Sequence, residues 1–379
     1  LFRSEESSAS TSAYCQARER LPLDMIRELA LGKGEELENQ PCAAPWLWHG
    51  RHVKLLDGTT ITCADTQENQ AAWPQNPVQK PGLGFPIIRL CAVISLATGA
   101  VTDVAYGPYQ GKETGETALA RRILPRLIKE DILLVDRAFA GYFFIAEALD
   151  RGCDVITRLH QARSYDFRLG QKLGKGDHVI ELVKPPRPRW MDAKTYESLP
   201  GTLTLREIDT GSCDSDGKKI VVVTTLIDPK QYSRSELAAV SKMRWNVELD
   251  LRSIKSVMGM DILVCKTPKM VEKEIWTYIL AYNLVRQLIA QTADRYKLEP
   301  RQISFTGALD TFSVFAPHLD WRKPGESKRL YDAMLHLISQ SRIGNRPGRR
   351  EPKALKRRKK NYDFLNKPRR EHKNKESLS

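Results

Sequence analysis

The stretch Lys242–Lys255, K-M-R-W-N-V-E-L-D-L-R-S-I-K, decides how the rest of the chain is read. Taken as an α-helix, it brings Arg244, Glu248, Arg252 and Lys255 within roughly 80° of one another. Val247, Leu251, Ile254 and Met258 fall on the neighbouring arc, an apolar stripe able to pack on a core. One carboxylate is thereby held among three cations along the edge of a buried face. The same spacing also suits a solvated helix carrying i,i+4 ion pairs, Arg244 to Glu248 and Glu248 to Arg252. What separates the two readings is what else the chain brings to that edge.

Upstream, H-V-K-L-L-D-G-T-T at 52–60 runs apolar into Asp57 and then Gly58, which reads as a strand ending at an acid. A possible second strand follows, then a polar loop closed by Pro74 and Pro77. Asp65, Glu68, Asn69 and Gln70 in that loop are read as turn and capping residues rather than ligands. Phe85–Thr98 and Ala100–Tyr106 complete an antiparallel meander. Helical periodicity over Glu113–Lys129 leads to D-I-L-L-V-D at 131–136, a buried-strand run that again stops at an acid, Asp136. A helix over Gly141–Asp150 and a strand over Cys153–Leu159 follow, an order that predicts an α/β sheet with helices on both faces.

From 160 to 230 the alternation breaks. Glycines 170, 174 and 176, the Pro185–Pro188 run and alternating segments at 178–183, 202–208 and 219–226 predict an all-β insertion. A helix is expected over Ser233–Met258, a second over Met270–Asp294, and a third near Lys328–Ile338 after Pro-flanked segments. The chain thus divides into an N-terminal helical remnant (1–48, broken at Pro22), a core in two parts (49–159 and 231–296), the insertion (160–230), a C-terminal helical segment (297–341) and a basic tail (342–379) read as disordered.

The 379 residues, 41% of them hydrophobic, suffice for a real core. No run approaches the roughly 18–20 apolar residues that cross a bilayer. The chain opens on Leu1, and its natural N-terminus is expected to lie upstream. Of the net charge of +14, the tail from Arg342 carries 15 Lys/Arg against 4 Asp/Glu, or +11. Such a charge seeks a polyanion, and R-P-G-R-R-E-P-K-A-L-K-R-R-K-K at 346–360 lacks the bulky apolar face a membrane surface needs, so nucleic acid is favoured over membrane. Seven scattered cysteines without a CxxC pair, and seven scattered histidines, offer no zinc spacing and fit a reducing cytosol.

Asp57 and Asp136 at strand ends, with Glu248 on the helix leaving the insertion, place three carboxylates where α/β sheets build sites. Converging carboxylates repel unless cations neutralise them, and oxygen-only donors suit Mg²⁺ or Mn²⁺. Two such ions about 3.5–4 Å apart clamp the attacking and leaving oxygens of a phosphoryl displacement. Arg244, Arg252 and Lys255 would then be phosphate contacts. Singly, Asp57 is equally a turn or cap residue before Gly58, and Asp136 a partner of Arg137, which would orient it or touch a phosphate; only the combination is informative.

The spacing R-x3-E-x6-K of Arg244, Glu248 and Lys255 resembles the signature of bacterial insertion-sequence transposases of the DDE class, the insertion-sequence-four family. Segments similar in the same order are S-A-Y-C-Q-A-R-E-R-L-P (12–22), L-L-D-G-T-T (55–60), D-T-Q-E-N-Q (65–70), W-P-Q-N (73–76) and L-L-V-D-R-A-F (133–139), so the resemblance covers about residues 10–290. It implies a ribonuclease-H-like mixed sheet flanked by helices and interrupted by a β-domain before the glutamate helix. It further implies cut-and-paste DNA transposition with Mg²⁺, Asp57, Asp136 and Glu248 as the catalytic triad, and Arg244 and Lys255 on DNA phosphate. A hairpin intermediate, a homodimer pairing two element ends on double-stranded DNA, and a bacterial cytoplasmic, nucleoid-associated location follow from the same resemblance. Trp190 is matched to a tryptophan that stacks on a displaced base; a buried core role is the alternative. The family tyrosine three residues before the arginine is replaced by Ser241, and Tyr232 lies too far upstream to fill that slot. A nuclease that cuts without joining, or a non-catalytic DNA-binding protein of the same fold, are the other readings.

Overall fold

A computed structural model describes residues 12–214, 217–320 and 322–344, with Lys367. Most of the basic tail, and residues 1–11 of the N-terminal segment, lie outside the described residues. Helices α1 (Ser12–Arg20) and α2 (Leu23–Asn39) are separated at Pro22, where a missing N–H is tolerated just ahead of a first turn. Strand β1 (Val53–Cys63) runs unbroken through Asp57, which corrects the expected strand end there. Gly58 makes no turn; it stays in the strand, and its missing side chain leaves room for Glu116, whose Cγ and carboxyl carbon a Cβ at that position would overlap. Helix α3 (Gln67–Ala72) follows, with the Thr66 hydroxyl accepting the Asn69 N–H at 3.2 Å. Buried Asn69 ties Ala64 to Cys265 through their carbonyls, so the polar loop residues serve structure.

Strands β2 (Ile87–Ser95) and β3 (Val101–Pro108) pair antiparallel beside β1, the expected meander. Helix α4 (Glu116–Ile123), strand β4 (Ile132–Val135), helix α5 (Tyr142–Asp150) and strand β5 (Asp154–Arg158) then alternate. Because β4 lies parallel to β1, and β5 to β4, the order β3-β2-β1-β4-β5 forms a mixed sheet, with helices on both faces, of the ribonuclease-H-like kind.

The insertion contributes β6 (Gln171–Gly174), β7 (Asp177–Val183), helix α6 (Ala193–Ser198), β8 (Thr202–Cys213) and β9 (Lys219–Thr224). It is β-rich with one short helix rather than purely β, because Asp192 caps α6 by accepting the Thr195 N–H at 2.9 Å. Nor does it form a sheet of its own. Strand β9 pairs antiparallel with β5, and the core sheet continues through β9-β8-β7-β6. The edge of β5 is thereby covered.

Helix α7 (Arg234–Lys242) starts at a capping box between Ser233 and Glu236. Where one helix over 233–258 is expected, the backbone changes pitch twice. A 3₁₀ turn at Met243–Trp245 precedes α8 (Asn246–Arg252), and a π turn at Ser253–Val257 ends it, with the Met258 N–H reaching the Ser253 carbonyl at 3.0 Å. Strand β10 (Ile262–Leu263) pairs with the end of β1. Helices α9 (Pro268–Arg295), α10 (Phe305–Phe315) and α11 (Pro324–Gln340) complete the fold. On one sheet face, Leu55, Ile61 and Leu134 pack against Val247, Leu251 and Ile254 of the α8 region and against Ile275 and Ile279 of α9. On the other, Leu56, Leu133 and Val135 meet Ile123, Phe144 and Ile145 of α4 and α5.

Candidate active site

The parallel ladder between β1 and β4 ends at the pair Leu56 and Val135. Asp57 and Asp136 are the next residues on these two adjacent strands. Side chains alternate across a strand, so both carboxylates share the face of Leu55 and Leu134, the face that α8 covers. The chain leaves Asp136 in a 3₁₀ turn over Arg137–Phe139, while its carbonyl accepts the Thr157 hydroxyl at 3.1 Å. Among the described residues no ion pair joins Asp136 to Arg137, which is exposed.

Helix α8 supplies the third carboxylate. Arg244 donates from Nη2 to Oε1 of Glu248 at 2.7 Å and from Nη1 to Oδ2 of Asp57 at 3.4 Å, so one guanidinium spans two carboxylates. Asp57 also accepts the Gly58 N–H at 2.8 Å. Lys255 donates to Oγ1 of Thr59 at 3.0 Å, two residues along the same strand face as Asp57. Asp57, Asp136, Glu248, Arg244 and Lys255 therefore gather on one face, around the end of β4.

Two sequence candidates are not brought there. Arg252 is exposed and lines a separate cavity of about 300 Å³ with Leu249, Ser253 and Arg301, so the expected Glu248–Arg252 pair gives way to Arg244. Trp190 packs over the opposite sheet face. The Arg121 guanidinium stands 3.6 Å from its ring centre, and Phe143 meets it edge-on at 5.9 Å. Ser241 is buried and donates to the Ala238 carbonyl at 2.9 Å. Tyr232 is likewise spent in the core, stacked on Trp48 at 5.5 Å and accepting from Arg51 at 3.0 Å.

Electrostatics follow from this packing. Burial pushes the Asp57 carboxyl up to about 6, aided by Glu116 and Asp136, while the Gly58 N–H and Arg244 pull the other way. Burial likewise lowers the Lys255 ammonium. Among the described residues no three acidic, His or Cys side chains form a ready-made chelating group, and Arg244 stands between Asp57 and Glu248. The donors are nonetheless all hard carboxylate oxygens, and a buried carboxyl held near neutral pH is short of positive charge. Both features suit a divalent cation.

Two features escape the sequence. Glu116 reaches Gly58 from α4 with no spacing to announce it. A cleft of about 700 Å³ beyond Asp136 is lined by Arg137, Arg158, His160, Arg163, Lys218 and Lys219, whose positions in the chain are too scattered to form a motif.

A carboxylate edge on a mixed α/β sheet, beside a cationic cleft, is an arrangement suited to phosphodiester chemistry. The chain matches the transposase DDE domain family over residues 48–284 and belongs to that family. It is 27% identical to the transposase InsG of insertion sequence element IS4 from Escherichia coli K12, over 93% of this chain and 77% of that protein. It is 25% identical to a probable transposase of insertion sequence element IS5377 from Geobacillus stearothermophilus, over 74% of this chain and 67% of that one. A piggyBac transposase in a synaptic complex with hairpin DNA is similar at a TM-score of 0.39 and 10% identity, over 78% of this chain and 58% of that one. The protein is accordingly an enzyme acting on DNA in transposition, from a family that uses divalent metal ions.

Proposed function

We propose that the protein cuts the ends of its element and joins them to target DNA, with Asp57, Asp136 and Glu248 as the catalytic carboxylates. The observation that carries this is the placement of Asp57 and Asp136 side by side at the end of the β1–β4 ladder, with Glu248 tied to Asp57 through Arg244. The three carboxylates would hold two Mg²⁺ or Mn²⁺ ions. Such ions, when bound, stabilise the charge on the attacking and leaving oxygens.

The chain's own residues do the rest. Lys255, oriented by Thr59, and Arg244, once released from the carboxylates, bind the phosphates flanking the scissile bond. The cationic cleft beyond Asp136 receives the continuing backbone. Water attacks the phosphodiester and the bond to the 3′ oxygen breaks; the freed 3′-hydroxyl then attacks a second phosphodiester, across the duplex as a hairpin or in the target, and displaces the 3′ oxygen of that strand, which leaves as a hydroxyl. Two copies would pair two ends on DNA, in the bacterial cytoplasm at the nucleoid.

One observation favours the nuclease-only reading. The tyrosine expected near a hairpin is Ser241 here, and its hydroxyl is committed to Ala238. A duplex carrying the element end, incubated with Mn²⁺, tests cleavage, and a pre-cut end tests joining. Asp57→Asn, Asp136→Asn and Glu248→Gln should each abolish both reactions while duplex binding persists. Equal loss of binding in all three would sink the triad assignment, and cleavage without joining would leave a nuclease.

A further inference from the structure

Two residues beyond Glu248, Asp250 lies about 200° around the helix, on the side away from the carboxylate edge. It is 1% exposed, and its carboxylate accepts from Arg286 and, at 2.8 and 2.7 Å, from Nη1 of Arg301. Arg301 donates further to the carbonyls of Leu96 and Ser95, both at 2.8 Å. Arg286, on α9, donates from Nε to the Tyr282 hydroxyl at 2.8 Å, and Tyr282 donates to the Gly99 carbonyl at 2.9 Å. Gly99 has φ +77°, and a Cβ there would stand 2.7 Å from Cζ of Arg286, so the turn closes against that guanidinium. Ser95 in turn pairs with Lys54 on β1, three residues before Asp57.

This buried network joins the helix of Glu248 to the hairpin whose strand is hydrogen-bonded to that of Asp57. Helix α8 has only 7 residues, set between a 3₁₀ and a π turn, so its own ladder does little to fix where it points. The apolar contacts of Val247, Leu251 and Ile254 set its depth on the sheet. A directional anchor on the far side sets its rotation, and a buried carboxylate held by two guanidinium groups, Arg286 on one oxygen and Nη1 of Arg301 across both, is such an anchor. We infer that Asp250, through Arg286 and Arg301, is a positioning residue that sets Glu248 opposite Asp57 and Asp136. The inference rests on the three carboxylates forming an ion site.

The test is Mn²⁺ binding to the full chain, followed by electron paramagnetic resonance, in the wild type, Glu248→Gln, Asp250→Asn and Arg301→Lys, with duplex affinity measured alongside. Asp250→Asn should weaken Mn²⁺ binding by about ten-fold, the low end of what losing a group that orients a metal ligand costs. Arg301→Lys, which keeps the charge but loses the bonds to the Leu96 and Ser95 carbonyls, should weaken it less, and duplex affinity should stay within about two-fold. Unchanged Mn²⁺ affinity in a folded Asp250→Asn would overturn the inference. Loss of the folded state in both variants would overturn it too, by making the network a prop of the fold alone. If Glu248→Gln binds Mn²⁺ as the wild type does, the ion site itself is wrong and the positioning role falls with it.

Discussion

At the scale of single residues, the account turns on Asp57. Its carboxyl is raised to about 6 in the fold against 3.8 in the free side chain, so without a divalent ion the folded state binds the proton more tightly than the unfolded one. The stability it contributes is full below about pH 4 and lost as pH rises through 6; the two-unit shift corresponds to about 3 kcal/mol. In chelator at about pH 7.5, Asp57→Asn should therefore unfold at a higher temperature than the wild type, with no such gain at about pH 4. Added Mn²⁺ should then stabilise the wild type and not the variant. An Asp57→Asn protein with the same advantage at both pH values would refute the burial argument. Lys255 makes a separate prediction. Lys255→Ala should weaken duplex binding and lower its salt slope by about one, measured by titration across salt concentrations.

Much of this residue set was legible in the sequence, and the reasons differ case by case. Glu248, Arg244 and Lys255 lie within twelve residues on one helical face, so periodicity alone gathers them. Asp57 and Asp136 could be singled out because each follows an apolar strand run, although β1 in fact continues past Asp57. Glu116 was not legible, because only the sheet brings α4 over Gly58. Arg252 misled for the opposite reason. Its spacing from Glu248 is that of an ion pair, but Arg244 takes that carboxylate. Trp190 was matched by resemblance alone, and the structure stacks it against Arg121 on the other sheet face.

At the scale of elements, local signals placed most helices and strands, and packing decided their ends. The change of pitch around α8 has no sequence signal, since its backbone stays helical and only the hydrogen-bond register shifts. Helix α10 was hidden among Pro-flanked segments, although Ser304 caps it by accepting the Gly307 N–H at 3.2 Å. The capping box at Ser233 starts the run that carries Glu248. Ser233→Ala should cost about 1 kcal/mol in denaturant unfolding while leaving cleavage at its wild-type rate. A large loss of cleavage in a folded variant would mean that α7 couples to the site more directly than its packing indicates.

At the scale of the whole molecule, one sheet carries everything. The insertion extends it beyond β5, and in doing so sets Arg163, Lys218 and Lys219 beside Arg137 and Arg158 to form the cationic cleft. The basic tail adds charge in sequence terms, with 14 Lys/Arg against 4 Asp/Glu after Gly344. Removing residues 345–379 should lower duplex affinity and reduce the salt slope by several units, while unfolding stays unchanged. An unaltered salt slope would assign DNA binding to the cleft and the α8 edge alone.

The most direct measurement is a crystal structure of the full chain soaked with Mn²⁺, read from its anomalous signal. The account predicts manganese density between Asp57, Asp136 and Glu248, with Arg244 withdrawn from both carboxylates. Manganese bound elsewhere, with Arg244 still bridging Asp57 and Glu248, would contradict it.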